Sequence, residues 1–487
     1  LKATLRLAMS MAAEKVIPGG LVGGIPICEE ELGWIYNRPD SCLVSEEDLG
    51  NLRRELESLI SSDVSVEIGT ETYPDAQAKL ASQKLALSLL ASRIPLGGVG
   101  VVRVGDVTRL APYDYGKLCN TFGPLRHAGY RIQGDGTGGV RLTWGDVSVC
   151  ADKATTTAAI LETRKWGVGR GVVSLGDLNG LKEVGRERKE FMLAAEYRQE
   201  ARLRDIVRRV EASSGATRCI CIAGPTSSGK TTFAAKLCTF LGNEGLSAHG
   251  LTVDHYYLPL DRQPRYLIRQ QRSDCDYDHI ESMDVDLVNQ HISDLINGKT
   301  IEPPVYNMKT GMRDPPKRTF SIPPNGILVI EGIHALNPQY TEKLPQEQVF
   351  KIFLSPQTAI QVDDFNVIKS TDVRLLRRMS RDYLFRAHSA SRTLDMWENV
   401  RRGEGKWIFP FQGQAHVVMN SAHEYDLSVL KPLLEPLLRS VPPTDANFVK
   451  AQELARLLDL VAGWGERDVP ATSLLREFLG NGAYDEH

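Results

Sequence analysis

Residues 224–231 read GPTSSGKT and match the pattern G-x-x-x-x-G-K-[ST] in full. Glycines let a chain wrap tightly enough for consecutive main-chain amides to point inward at phosphate oxygens. In that reading Gly224, Pro225, Thr226, Ser227, Ser228, Gly229, Lys230, Thr231 and Thr232 cradle ATP. Lys230 reaches the β- and γ-phosphates, and the Thr231 hydroxyl holds Mg²⁺. A chain of this length meets the pattern by chance roughly one time in fifty, so the flanking sequence decides. An apolar run, CICIA at 219–223, precedes the loop, and TTFAAKLCTFL at 231–241 follows with helical character. A strand running into a helix through such a loop is a nucleotide site, but kinases, switches and motors all share it.

Acceptor chemistry has to come from other residues. Asp254 follows a second apolar run, 251–253, and strand ends of a parallel sheet face the ligand crevice. A carboxylate there can take the proton of a hydroxyl as its oxygen attacks the γ-phosphate in line; alone, such an Asp is more often a cap or turn former. Glu331 ends another run, 327–330, where an acid can position Mg²⁺. Arg374, Arg377, Arg378, Arg381 and Arg386 crowd one helical stretch with only Asp372 and Asp382 nearby in sequence. Guanidinium groups bind phosphate bidentately and neutralise charge on a transferring group, so this stretch reads as a kinase lid. Asp278, in the acidic segment 274–286, reads either as a partner for sugar hydroxyls or as a solvated loop residue. His255, His279, His334 and His388 have no mutual ligand spacing, so a histidine metal site is not expected.

Positioning these groups requires a parallel sheet. Short apolar runs at 219–223, 251–253, 327–330, 349–354 and 415–419 lack alternation and are separated by helical stretches, which predicts α/β architecture with both sheet faces covered. Pro-rich segments 301–304 and 314–324 read as loops. Upstream, 45–60 reads as an amphipathic helix with Leu49, Leu52, Leu56 and Ile60 on one face, and 75–92 repeats the pattern. Residues 99–107 read as a strand and 133–141 as a loop or hairpin turn. Residues 4–16 read as a packed helix in preference to a transit-peptide remnant, and a chain opening at Leu1 reads as a fragment or a processed form. These elements predict an N-terminal α+β domain over 1–184, a linker helix over 185–215, a P-loop kinase domain over 216–440 and a mostly helical extension over 441–487.

With 487 residues the chain is long enough for two or three domains. Its net charge of −3 gives no electrostatic reason to expect a nucleic-acid partner. Cysteines 28, 42, 119, 150, 219, 221, 238 and 275 form no C-x-x-C pair, which predicts reduced thiols and a cytoplasmic or organellar compartment. No apolar run is long enough to span a membrane. Homo-oligomerisation is left open.

Together these residues resemble the uridine kinase and phosphoribulokinase family of P-loop kinases. The resemblance rests on GPTSSGKTTFA, Asp254-x-Tyr256-Tyr257, Tyr277-Asp278-His279, Pro304-Val305-Tyr306, Glu331-Gly332-Ile333-His334 and Arg377-Arg378-x-x-Arg381-Asp382, which occur in the family's order. More closely, the chain resembles long uridine kinase-like nucleoside kinases that carry an N-terminal domain related to threonyl-tRNA synthetase. MWENVRRGEGKWIFPFQ at 396–412, MNSAHEYDLSVLKPLLEPLL at 419–438, LLREFLGNG at 474–482, SEEDL at 46–50, APYDYGKL at 111–118 and GDLNGL at 176–181 carry that closer likeness. The resemblance implies that Asp254 is the base for a 5′-hydroxyl, that Asp278 binds ribose, that Tyr306 helps hold the base and that Arg378 and Arg381 serve the lid. Tyr257 and Arg386 join the implied substrate-binding set.

The chain departs from that family twice. Pyrimidine nucleoside kinases place a His a few residues past Pro-x-Tyr, whereas 306–313 here contains none; Ala387 and His388 stand where the lid motif has Gly and Arg. The N-terminal region has no intact H-x-x-x-H, so it reads as a scaffold or substrate-access module instead of a metal-dependent editing site. A nucleoside is the first acceptor expected; a non-nucleoside sugar or polyol, or a nucleotide-dependent RNA-binding or regulatory role, are the alternatives.

Overall fold

The computed structural model describes residues 1–17, 21–24, 34–37, 44–92, 98–134, 140–144, 154–184, 186–213, 215–263, 278–307, 310–316, 318–364, 366 and 368–484. The chain opens with helix α1 (Lys2–Val16), which buries Leu5, Ala8, Met9 and Ala12 in a core shared with a later helix. Strands β1 (Leu21–Gly24) and β2 (Trp34–Asn37) pair antiparallel. Helix α2 (Glu46–Ser61) starts at a capping box, Ser45 accepting from the Asp48 amide and Asp48 accepting from the Ser45 amide, and buries the expected Leu49, Leu52, Leu56 and Ile60.

Strand β3 (Val66–Glu71) follows, and then the expected helix over 75–92 is found as two, α3 (Tyr73–Lys79) and α4 (Lys84–Ser92). The break has a tertiary cause. Asp364, far along the chain, accepts the main-chain N–H groups of Leu85 and Ala86 at 3.0 and 3.1 Å, supplying the start of α4 with the partners that a continuous helix would have provided. The strand expected at 99–107 is likewise a hairpin: β4 (Val99–Val104) turns through Gly105, at φ 56°, into β5 (Val107–Leu110). Strands β6 (Tyr130–Gly134) and β7 (Val140–Trp144) pair antiparallel around the expected turn, whose central residues 135–139 lie outside the described residues. The N-terminal region thus holds two antiparallel sheets, β3-β4-β5 and β1-β2-β7-β6.

Helices α5 (Ala154–Arg170), α6 (Leu175–Gly180) and α7 (Glu187–Glu211) lead into the second sheet system. The rest of the chain comprises β8 (Cys219–Ala223), α8 (Lys230–Asn243), β9 (Ala248–Thr252), α9 (Val285–Ile296), β10 (Val305–Asn307), β11 (Met312–Asp314), β12 (Ile327–Glu331), β13 (Val349–Ser355), α10 (Ser370–Arg386), α11 (Ala390–Trp407), β14 (Val417–Asn420), α12 (Asp426–Arg439), α13 (Phe448–Asp459) and the short α14 (Arg476–Leu479). The five apolar runs form one parallel sheet in the order β14-β13-β8-β12-β9. β8 and β12 are buried at every position, as lack of alternation requires. The end of the chain is less helical than expected: between α13 and α14 runs an irregular segment with one short 3₁₀ turn.

Helix α7 does more than join regions. Leu203, Ile206, Val207 and Val210 pack on Ile220 and Ile222 of the sheet, while Phe191, Met192 and Ala195 enter a second core shared by α4, α10, α12 and α13. No helix among the described residues is long and apolar enough to cross a membrane.

Where α7, α10 and α12 meet, charge is buried. His423 lies 3.2 Å from Glu196 and 3.6 Å from Asp426, beside the Tyr425 ring, and Asp426 also accepts from Arg377 Nε at 3.0 Å. Burial by itself would push the imidazole pKa down, but Glu196 and Asp426 outweigh it and raise it to about 9. Because this lies above the unfolded value of 6.5, the contribution is full below about pH 6.5 and disappears as pH rises through 9. Between about pH 6.5 and pH 9.5 the wild-type chain should lose on the order of 3 kcal/mol that a His423→Gln variant, already less stable, does not lose. Chemical denaturation across that range checks this; equal slopes for both proteins would remove His423 as the cause.

Candidate active site

The loop after β8 is shaped by close approach to the neighbouring strand. A Cβ on Gly224 would stand 2.0 Å from the Leu354 carbonyl oxygen of β13. Ser227 (φ 59°) and Gly229 (φ 90°) both adopt left-handed backbone, which curls the loop over the start of α8. Lys230 is buried and its Nζ donates to the Pro225 carbonyl at 3.2 Å. Thr226 receives contacts from three sides: its amide donates to Glu404 Oε1 at 3.0 Å, and its hydroxyl accepts from Arg378 Nη1 at 3.3 Å and Arg381 Nη2 at 3.4 Å.

Thr231 donates to Glu331 Oε1 across 3.4 Å. Burial is the main reason the Glu331 carboxyl is pushed up to about 8; the Asp254 charge adds to it, and Lys230 and the Thr252 hydroxyl oppose it. The buried Glu331 and the half-buried Asp254 beside a hydroxyl make an all-oxygen donor set, and its unfavourable charge would be relieved by a hard dication. The residues present therefore fit Mg²⁺, and the loop of amides at the head of α8 fits a triphosphate.

Asp254 lies in the 3₁₀ turn Val253–Tyr256, at the carboxyl end of β9. Gly332, after β12, makes room for it: a Cβ there would stand 3.3 Å from Asp254 Oδ1. That oxygen is buried and has no hydrogen-bond partner among the described residues. The β10-β11 hairpin brings Tyr306 to the same turn. Its amide donates to His255 Nδ1 at 3.3 Å, and the Tyr257 and Tyr306 rings stand 5.4 Å apart. Arg313, opposite Tyr306 in the hairpin, donates to the Tyr256 and Tyr257 carbonyls at 3.0 and 2.9 Å and pairs with Asp284 at 3.1 Å. Sequence reasoning passed over Arg313; its signal was a cation, one of two with Lys309, in the stretch noted for lacking a His. Tyr277 lies outside the described residues, while Asp278 sits half-buried against Gly403 of α11.

The arginine cluster is less free than its sequence neighbourhood implies. Arg374 makes a bidentate pair with Glu404 at 2.8 and 2.6 Å, Arg377 pairs with Asp426, and Arg381 pairs with Glu477 at 3.2 Å. The expected charge imbalance is thus corrected by acids far away in sequence, and Arg374 and Arg377 brace the fold. Arg378 and Arg386 share Asp382 at 3.2 and 3.1 Å. The Arg386 guanidinium is held down to about 10, first by the Arg381 charge and then by burial, with Asp382 and Asp254 opposing. Arg378, Arg381 and Arg386 are therefore the members gathered near the phosphate loop and Asp254. Ala387 closes α10 at φ 54°, the left-handed position where the related motif has Gly. Glu404 and Glu477 also went unrecognised; only their place in conspicuous C-terminal segments, 396–412 and 474–482, hinted at them.

The family model described as "Phosphoribulokinase / Uridine kinase family" matches residues 219–428. A uridine kinase of Macrococcus caseolyticus is 29% identical over 204 residues, 42% of this chain and 87% of that protein. A uridine kinase of Staphylococcus aureus strain JH9 is 29% identical over 205 residues, with the same shares. The solved structure of D-glycerate 3-kinase from Cryptococcus neoformans aligns over 57% of this chain and 88% of that one at 14% identity, with a TM-score of 0.23, too low to bear on fold or substrate. The match to the family model coincides with the parallel sheet, its phosphate loop and the arginine helix, and residues 219–428 are a P-loop kinase domain of the phosphoribulokinase/uridine kinase family.

Proposed function

We propose that this chain transfers the γ-phosphoryl group of ATP to a hydroxyl of a nucleoside. The observation that carries the reading is the convergence of Lys230, Thr231, Glu331 and Asp254 at the carboxyl ends of three adjacent strands, β8, β12 and β9. Thr231 and Glu331 would hold Mg²⁺, which when bound spreads the charge of the phosphates. Asp254 would take the proton of the acceptor hydroxyl as its oxygen bonds to the γ-phosphorus and the bond to the β,γ-bridging oxygen breaks, releasing ADP. Lys230, Arg378 and Arg381 would offset charge on the transferred group. Asp278, Tyr257, Tyr306 and Arg386 would hold the acceptor, with the paired tyrosine rings offering an aromatic surface for a base.

The N-terminal residues 1–184 are read as a scaffold for this site. Tyr113 donates to Asp372 at 2.8 Å, and Lys369 pairs with Asp114, both at the start of α10. The test is a panel of nucleosides and sugar alcohols assayed for ATP consumption with the full chain. Turnover with nucleosides supports the proposal, and turnover confined to sugars or polyols would replace the acceptor. Salt-sensitive tRNA retention on filters without any turnover would favour an RNA-binding role.

A further inference from the structure

Helix α11 touches both sides of the site. Glu404, in its last turn, is 0% exposed. Its Oε1 accepts from the Thr226 amide at 3.0 Å and from Arg374 Nη1 at 2.8 Å; its Oε2 accepts from Arg374 Nη2 at 2.6 Å and Arg401 Nη1 at 2.5 Å. One residue earlier, a Cβ on Gly403 would stand 2.8 Å from both Cβ and Oδ2 of Asp278. Consecutive residues of one helical turn therefore meet the phosphate loop and the acceptor-side carboxylate.

Neither residue is there for the helix itself. Glycine inside an 18-residue helix is unfavourable relative to alanine, and Gly403 has ordinary helical backbone, so its missing side chain answers to Asp278, which supplies the nearest atoms a Cβ would meet. A buried carboxylate costs desolvation, and two arginines, Arg374 and Arg401, pair with Glu404 to offset it. Thr226 is in turn fixed twice, by Glu404 at its amide and by Arg378 and Arg381 at its hydroxyl, so the same carboxylate braces the loop against α10.

We propose that Gly403 and Glu404 form a strut that sets the separation between the phosphate loop and Asp278, and that both are positioning residues for phosphoryl transfer. The proposal rests on the kinase reading above, with Asp278 on the acceptor. Neither residue touches the reacting atoms: the strut fixes how far the bound hydroxyl lies from the γ-phosphate, a distance to which in-line transfer is steeply sensitive.

Two variants of the full chain test it, with mant-ATP plus Mg²⁺ as the nucleotide probe and uridine, or whichever panel member the wild type phosphorylates, as acceptor. Gly403→Ala should melt within a few degrees of wild type, because a helix-propensity gain of about 1 kcal/mol offsets much of the cost of displacing Asp278. It should raise the acceptor KM about tenfold or more while the mant-ATP Kd stays within about twofold of wild type. Glu404→Gln should weaken mant-ATP about tenfold. An acceptor KM unchanged in Gly403→Ala, or one that moves only together with the mant-ATP Kd, would overturn the strut. Failure of wild type to phosphorylate any panel member would sink the kinase reading instead; an unaltered mant-ATP Kd in folded Glu404→Gln would then still count against the strut. If Glu404→Gln does not fold, Gly403→Ala decides alone.

Discussion

Asp254→Asn is expected to cut phosphoryl transfer by about a thousandfold while mant-ATP still binds within a factor of about three of wild type. The substitution preserves shape and removes only the ability to take a proton. Structure gives a particular reason to expect a clean result: Asp254 Oδ1 makes no hydrogen bond among the described residues, so the amide breaks none there. The Thr231–Glu331 contact that would hold Mg²⁺ does not involve Asp254 and is left in place. The effect should fall on the chemical step. Single-turnover formation of ADP, followed with acceptor present and absent, separates that step from binding. A variant that retains full single-turnover rate would show that another group takes the proton.

Gly224→Ala is expected to weaken mant-ATP by about a hundredfold or more. The new methyl would lie 2.0 Å from the Leu354 carbonyl, a main-chain oxygen of β13 in the middle of the sheet. That oxygen cannot swing aside as a side chain could, so the phosphate loop has to move, and with it the amides aimed at phosphate. Gly242→Ala, at the end of α8 with nothing within 4 Å of the added methyl, is the matched control and should bind as wild type does. Fluorescence titration with melting curves for both variants checks this. Normal affinity in Gly224→Ala would mean that the loop tolerates displacement and is not the rigid cradle described here.

Much of this architecture was legible before any coordinates. The five apolar runs without alternation became the five strands of the parallel sheet, because a strand covered on both faces has no polar side to display. The phosphate loop was legible because its function needs particular residue types at fixed offsets, with a strand before and a helix after. Helix α2 was legible because its signals, a capping box and one apolar face, are local. Misreadings occurred where a distant group, or the torsion of a single residue, decides. Helices α3 and α4 separate because Asp364 caps the second one, and the strand at 99–107 folds back because one glycine takes positive φ.

The candidate site divides in the same way. Residue types and spacing alone determined the kinase domain's sheet, its phosphate loop and the acids at the ends of β9 and β12, since each depends on a short stretch of chain and the period it must obey. Only the tertiary structure decided which arginines are available. Charge is satisfied through space, and the acids that neutralise Arg374, Arg377 and Arg381 lie tens of residues away at 404, 426 and 477. Only the tertiary structure, too, brought Gly403 and Glu404 between the 224–231 loop and Asp278, because close approach leaves no mark in a sequence beyond the absence of a side chain.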